Sequence, residues 1–113
     1  MKVSMTYNPS CGTARNVLAL LRERGIEPEI IEYLKTPLSK TEIAALVKKT
    51  GGSVRDVVRA KEKLYSELKL ETASDDQLLD AMAAHPVLLN RPIVSTPKGT
   101  KLCRPAHLVV ELF

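Results

Sequence analysis

The fold of this chain is decided by a ten-residue segment where an apolar strand gives way to an apolar-periodic helix: Tyr7-Asn8-Pro9-Ser10-Cys11-Gly12-Thr13-Ala14-Arg15-Asn16. Pro9 ends the strand, and a cysteine follows at the start of the helix. Backbone N–H groups at a helix start have no partner within the helix, and with the helix dipole they favour an anion. We therefore expect the Cys11 thiol to ionise easily, and a thiolate is the reactive form of cysteine. The same N–H groups could hold an oxyanion beside the sulfur.

The residues on either side of this segment predict a β-α-β unit. Val3 and Met5 indicate a short strand, and apolar residues recur at helical spacing through residues 13–24. Gly25 follows as the expected C-terminal cap of that helix. Residues 29–33 predict a second strand. Two strands joined by a helix of this length are expected to run parallel, with a right-handed crossover.

The middle of the chain predicts several helices. Ser39 begins a capping box with the glutamate three residues later. Ser53 precedes a short apolar helix with Arg59 at its end, and residues 61–68 predict another short helix. Ser74 begins a further helix, which is expected to end near a His-Pro pair.

The last third returns to strands. Residues 93–95 and 100–103 predict an antiparallel hairpin around residues 96–99, where a proline in second place and a glycine in fourth suit a tight turn. Residues 105–113 predict a closing helix with an apolar face. The order β-α-β, helices, β-β-α with a cysteine after the first strand predicts an α/β, thioredoxin-like mixed sheet. We expect one domain over residues 1–113, with a helical insertion at about residues 39–85.

Composition limits the classes of partner. The formal net charge is +4 and the basic residues are spread along the chain, which favours small anions over DNA as ligands. One Phe and no Trp argue against stacking platforms for nucleic acid. No apolar run approaches a membrane span, and the first residues lack the apolar stretch of a signal peptide. We expect a cytoplasmic monomer with no nucleic-acid or membrane partner.

The two cysteines have different expected roles. Cys11 is either a reactive thiol or an inert buried one, and its position alone leaves both interpretations open. Ala14 stands where a thiol–disulfide oxidoreductase of the usual kind carries its second cysteine. Cys103 lies in a predicted strand and is expected to be buried and structural. His85 and His107 lack partners at metal-ligand spacing, so no metal site is expected.

Three motifs resemble, in order and spacing, the glutathione- and glutaredoxin-coupled arsenate reductases: Asn8-Pro9-Ser10-Cys11-Gly12-Thr13, Arg91-Pro92-Ile93-Val94 and Leu102-Cys103-Arg104-Pro105. The resemblance covers essentially the whole chain. It implies that Cys11 attacks arsenate in an arsenic-detoxification reaction. It also implies that Arg59, Arg91 and Arg104 bind the oxyanion and lower the pKa of the thiol. The thioredoxin-like fold further implies a cis peptide between Arg91 and Pro92.

The resemblance also implies the co-reactants. Glutathione would be a co-substrate, glutaredoxin would resolve the resulting disulfide, and no bound cofactor would be needed. The expected supporting residues around the thiol are Asn8, Ser10, Gly12, Thr13 and Pro92. The chain departs from some members at Tyr7, where they carry a histidine.

Two alternatives belong to other classes. Relatives with the same fold bind RNA polymerase and sense disulfide stress, but they use a Cys-x-x-Cys pair that Ala14 removes here. A monothiol glutaredoxin-like protein would handle glutathione disulfides or an iron–sulfur cluster, and it would not need three arginines around its thiol.

Overall fold

The computed structural model describes residues 2–113, which divide into two compact units. The first unit contains the residues up to Thr36 together with Arg91–Phe113, and the second contains Pro37–Asn90. The helical insertion predicted for residues 39–85 falls within the second unit. That residues 1–113 act as a single domain stays a prediction.

A four-stranded mixed sheet organises the first unit. Its strands are β1 (Ser4–Thr6), β2 (Glu29–Ile31), β3 (Ile93–Thr96) and β4 (Gly99–Leu102). They lie in the order β2-β1-β3-β4. β1 is parallel to β2, with Met5 beside Ile30, and antiparallel to β3, with Met5 opposite Val94. β3 and β4 form the expected antiparallel hairpin, in which Thr96 pairs with Gly99. The predicted β-α-β unit and hairpin are confirmed.

One helix, α1 (Gly12–Glu23), joins β1 to β2 and packs on the sheet. Its buried face carries Val17, Leu18 and Leu21, which share a core with residues of the sheet and of the closing segment. The core cluster consists of Val3, Met5, Val17, Leu18, Leu21, Val94, Cys103, Val109 and Leu112. The helix ends as predicted, because Gly25 adopts the left-handed φ of 72° that glycine tolerates best. This packing holds the first turn of α1 at the end of β1.

Two strand ends differ from the sequence expectation. β2 ends at Ile31, because the Glu32 carbonyl accepts hydrogen bonds from the N–H groups of Lys35 and Thr36 and the chain turns there. Cys103 lies just after β4 instead of inside it. Its N–H donates to the carbonyl of Pro92 at 2.9 Å, which ties the segment before β3 to the segment after β4.

The closing segment is a 3₁₀ helix, Ala106–Leu112, where an α-helix over residues 105–113 was predicted. Its hydrogen bonds include one from the Leu108 N–H to the carbonyl of Pro105, three residues back. The adjacent β-branched side chains of Val109 and Val110 disfavour the regular α conformation. Val109 is nonetheless buried in the core as the apolar pattern predicted.

The second unit is helical. Its α-helices are α2 (Lys40–Thr50), α3 (Lys63–Glu67) and α4 (Asp75–Ala84), and 3₁₀ helices cover Val54–Val57, Leu70–Thr72 and Pro86–Leu88. α2 packs against α4. The predicted caps are confirmed, since Ser39 and Ser74 form capping boxes with Glu42 and Gln77. Among residues 2–113, no helix combines the length and the apolar character that crossing a bilayer requires.

Two helix predictions in this unit are wrong in extent. The short helix after Ser53 ends at Val57, and Val58 is extended and bridges to Leu89. Arg59 therefore follows an extended residue, and its N–H donates to the carbonyl of Leu88 at 2.7 Å. The helix predicted over residues 61–68 is limited to α3, because Glu62 has an extended backbone with ψ of 140°.

Candidate active site around Cys11

Cys11 occupies the N-cap position of α1. Its backbone is extended, with φ −92° and ψ 117°, and the residue is 7% exposed. The neutral sulfur makes no regular capping hydrogen bond. The Ala14 N–H in the first turn nevertheless interacts with the sulfur in a way that favours the thiolate. The arrangement matches the helix-terminal thiol that the sequence predicts.

The loop before Cys11 is held by its own hydrogen bonds. The Asn8 side-chain oxygen accepts from the Ser10 N–H at 2.9 Å, and the Asn8 carbonyl accepts from the Cys11 N–H at 2.9 Å. Arg15 donates from Nη1 to the carbonyl of Pro9 at 2.8 Å. Asn8 and Arg15 therefore fix the loop conformation that sets the position of the sulfur.

Arg15 was not among the predicted site residues. The sequence could have indicated Arg15, because it lies four residues after Cys11. That spacing puts its side chain over the same face of the helix start. Ser10 and Gly12 are exposed, and Thr13 is half-buried at the second position of α1.

Arg104 reaches the sulfur from the opposite end of the sequence. Its Nη1 atom donates a hydrogen bond to the Cys11 sulfur at 3.5 Å. The same Nη1 donates to the carbonyl of Arg91 at 3.0 Å. One guanidinium nitrogen thus contacts the thiol and the backbone of the second site arginine.

Arg91 completes the group within the first unit. It is a buried charged residue, 8% exposed, and its guanidinium interacts with the Cys11 sulfur by hydrogen bonding and by charge. The Arg91–Pro92 peptide is cis, as the sequence predicts, and Arg104–Pro105 is a second cis peptide that the sequence did not predict. Three of the predicted residues, Cys11, Arg91 and Arg104, therefore lie together.

The surroundings lower the pKa of the Cys11 thiol to about 7 from 9.0. Burial has the largest effect and raises the pKa, because it removes water from the charged form. The Ala14 N–H, Arg91 and Arg104 together outweigh burial and stabilise the thiolate. Near neutral pH a large fraction of Cys11 is therefore in the nucleophilic form.

The surroundings of Cys103 raise the pKa of its thiol instead of lowering it. Cys103 is fully buried in the core of the first unit, and burial raises the pKa of its thiol to about 12. Both cysteines are free thiols. The expectation that Cys103 is buried is confirmed, and a thiol that stays protonated is a poor nucleophile.

Arg59 lies in the second unit, where its Nε is 3.2 Å from a carboxylate oxygen of Glu62. Its side chain is 21% exposed. Its predicted contact with the oxyanion stays a prediction. Across residues 2–113, no three His, Cys, Asp or Glu side chains gather in a way that could hold a metal ion.

A family model described as the ArsC family matches residues 6–112. The chain is 47% identical over 114 residues to an arsenate reductase of Rhizobium meliloti (strain 1021), covering 99% of this chain and 81% of that protein. It is 48% identical over 112 residues to an arsenate reductase of Escherichia coli, covering 97% of this chain and 79% of that protein.

This chain is also similar to solved structures of arsenate reductases. An arsenate reductase from Vibrio cholerae superimposes with a TM-score of 0.95 and 42% identity, covering 100% of this chain and 98% of that one. The α/β, thioredoxin-like fold class predicted from the sequence is confirmed.

Proposed function

This chain belongs to the ArsC family, and we propose that it is an arsenate reductase whose nucleophile is Cys11. One observation supports the proposal above all others. A buried thiol with a pKa of about 7 lies at a helix N-terminus, in contact with Arg104 and Arg91. This combination provides an anionic nucleophile and a cationic site for an oxyanion in the same place.

The binding step uses the positive groups around the sulfur. A tetrahedral oxyanion presents several oxygens, and planar guanidinium groups can donate to them in pairs. Arg91 and Arg104 would hold arsenate in this way, and backbone N–H groups at the start of α1 would donate to a further oxygen. Arg59 is proposed as the third arginine, on the resemblance of its position alone. The neighbouring Asn8, Ser10, Gly12, Thr13 and Pro92 would shape the loop.

The proposed reaction uses two thiols, that of Cys11 and that of glutathione. The Cys11 thiolate attacks arsenic, a sulfur–arsenic bond forms, and one arsenate oxygen leaves as hydroxide and takes up a proton to become water. The thiol of glutathione then supplies the second sulfur. The glutathione sulfur bonds to the Cys11 sulfur, and the thiol proton passes to an oxygen on arsenic. The sulfur–arsenic bond breaks and leaves its electron pair on arsenic, which falls from the pentavalent to the trivalent state and leaves as arsenite. Cys11 and glutathione remain joined as a mixed disulfide.

An external reductant is needed because Ala14 offers no second thiol in the helix and Cys103 is buried and protonated. We propose glutaredoxin as the partner that removes glutathione from Cys11 by thiol–disulfide exchange. No bound cofactor enters this scheme. We also propose that the protein acts as a monomer in the cytoplasm, where glutathione is available.

The test is a steady-state assay of arsenate reduction with the purified chain, glutathione and glutaredoxin, measured as arsenite produced. The wild type should turn over, and Cys11→Ser should lose essentially all activity. Cys103→Ser is the matched control, since it removes the other thiol. Product formed at the wild-type rate by Cys11→Ser would refute the proposed nucleophile.

Omitting single components separates the alternatives. Turnover that requires arsenate, glutathione and glutaredoxin together is the expected result. Reduction of glutathione disulfides without any arsenate reduction would point to a monothiol glutaredoxin-like protein and would contradict the proposal.

A further inference from the structure

Thr6 is a buried polar residue at the end of β1, five residues before Cys11. It is 1% exposed, and its side-chain oxygen accepts a hydrogen bond from the Ile93 N–H at 2.8 Å. Burying a hydroxyl without a partner is costly, so a buried threonine at this place is expected to have a defined contact. That contact reaches the segment that carries Arg91.

The hydrogen bond between Thr6 and Ile93 extends the pairing of β1 with β3 through a side chain. β1 and β3 pair Ser4 with Ser95 and Met5 with Val94, so the next pair in this register would be Thr6 with Ile93. The regular antiparallel ladder stops before that pair. The Thr6 side chain supplies the acceptor for the Ile93 N–H, and the segment before β3 is held beside β1.

Each of residues 91–93 makes a hydrogen bond to a neighbouring segment of the first unit. The Arg91 carbonyl accepts from Arg104 Nη1 at 3.0 Å, the Pro92 carbonyl accepts from the Cys103 N–H at 2.9 Å, and the Ile93 N–H donates to Thr6. The first two bonds come from the segment after β4. The bond to Thr6 ties residues 91–93 to the last residue of β1, the strand that leads into the cysteine loop.

We infer that Thr6 is a positioning residue, which fixes residues 91–93 against β1 and thereby aims the guanidinium groups of Arg91 and Arg104 at the Cys11 sulfur. The geometry forms a continuous chain of contacts. Thr6 holds Ile93, the carbonyl of Arg91 two residues earlier accepts a hydrogen bond from Arg104 Nη1, and that same nitrogen lies 3.5 Å from the sulfur. A displacement at Ile93 therefore changes the acceptor that orients Arg104.

The charged groups that act on the thiolate are Arg91, from the segment before β3, and Arg104, from the segment after β4. Both interact with the sulfur by hydrogen bonding, and hydrogen bonds weaken steeply with distance and angle. Loosening residues 91–93 should therefore weaken the stabilisation of the thiolate. The inference rests on the proposed function for the identity of the oxyanion, but the state of the thiol can be read without arsenate.

The experiment measures the pH dependence of Cys11 alkylation by iodoacetamide in wild type, Thr6→Val and Thr6→Ser. Thr6→Val keeps the shape of the side chain and removes the acceptor, so its midpoint should rise by about half to one pKa unit. Thr6→Ser restores a hydroxyl and should titrate like the wild type. Thr100→Val is the matched control, because it removes a threonine hydroxyl that bonds to Ser95 in the same sheet.

A second variant keeps the test valid if the valine protein is unstable. Thr6→Ala deletes the same acceptor without placing a methyl group against the Ile93 N–H, and it should shift the thiol midpoint in the same direction. Folded Thr6→Val or Thr6→Ala protein with the wild-type midpoint overturns the inference. An equal shift in Thr100→Val overturns it too, because the effect would then be a general loss of sheet stability.

Arsenate kinetics distinguish this inference from the proposed function. If the wild type does not reduce arsenate but the thiol midpoint depends on Thr6 as stated, the function is refuted and the positioning role stands. If the wild type is active and Thr6→Val loses kcat/KM with an unchanged thiol midpoint, the positioning role is refuted and the function stands.

Discussion

Replacing Arg104 with methionine tests the electrostatic argument for Cys11 most directly. Methionine keeps most of the side-chain length and removes every donor. The substitution deletes the 3.5 Å contact between Nη1 and the sulfur and the 3.0 Å bond to the Arg91 carbonyl. Arg91 and the Ala14 N–H remain, so the thiol should keep part of its stabilisation.

The expected change in the pKa of Cys11 follows from the hydrogen bond that Arg104 donates to the sulfur. A hydrogen bond to a charged group contributes about 1.5–3 kcal/mol, and one pKa unit corresponds to about 1.4 kcal/mol. Because the 3.5 Å contact is longer than a hydrogen bond to oxygen, we use the lower value, which is about one pKa unit. The pKa of Cys11 should rise from about 7 to roughly 8. At pH 7 the thiolate fraction would then fall from about a half to about a tenth.

The assay is the rate of alkylation by iodoacetamide between pH 5 and pH 10, followed by mass spectrometry of the peptide that contains Cys11. A thiolate of higher pKa is intrinsically more nucleophilic, with a Brønsted coefficient of about 0.4–0.5. The plateau rate of the variant should therefore rise while its midpoint moves up. The midpoint of the profile is the quantity to compare, because the rate at a single pH mixes these two effects.

Two further variants control the result. Arg104→Lys keeps the charge but not the planar fork, so its midpoint should lie between those of the wild type and the methionine variant. Arg22→Met removes an exposed arginine of α1 that pairs with Glu27, and it should leave the midpoint unchanged. A midpoint for Arg104→Met within about 0.3 units of the wild type would refute the assignment of Arg104 to the thiolate.

Three other outcomes follow from the same structure. Because the pKa of Cys11 is lowered on folding, its thiolate stabilises the protein above the unfolded value near pH 9, and this contribution is lost as pH falls to about 7. The gap in urea stability between wild type and Cys11→Ala should widen by about 2 kcal/mol from pH 6 to 9, and a constant gap would contradict the lowered pKa. Cys103→Ser should keep most of its kcat/KM in the coupled assay, because glutathione supplies the second thiol, and a folded but inactive variant would refute that scheme. Glu62→Gln should lower the KM for arsenate about two- to fivefold, because it releases Arg59 from its ion pair; an unchanged KM would argue against Arg59 as an arsenate ligand.

Local signals in the sequence were sufficient for the elements that position the thiol. The helical spacing after Cys11 and the glycine at position 25 predicted α1, and the structure places its ends within one residue of the expectation. The serine caps at Ser39 and Ser74 were also predicted correctly. These features depend on residues within a few positions of each other, so they can be predicted from the sequence alone.

The predictions of secondary structure are wrong where the local sequence does not strongly favour one conformation. The closing segment has the apolar spacing of a helix, but it forms a 3₁₀ helix, and its adjacent β-branched residues lower its propensity for the α conformation. Val58 has the pattern of the preceding helix, yet it pairs with Leu89, which lies far along the chain. Propensity is a weak guide when a non-local pairing decides the conformation.

The sequence by itself determined that a cysteine stands at a helix N-terminus, because capping and periodicity are local properties. It also indicated which arginines to consider, through motif resemblance. Only the tertiary structure decided that Arg104 contacts both the sulfur and the Arg91 carbonyl, and that Thr6 holds Ile93 across 87 positions of sequence. The physical reason is that these contacts depend on the register of β1 against β3, which the packing of the whole sheet and its core sets.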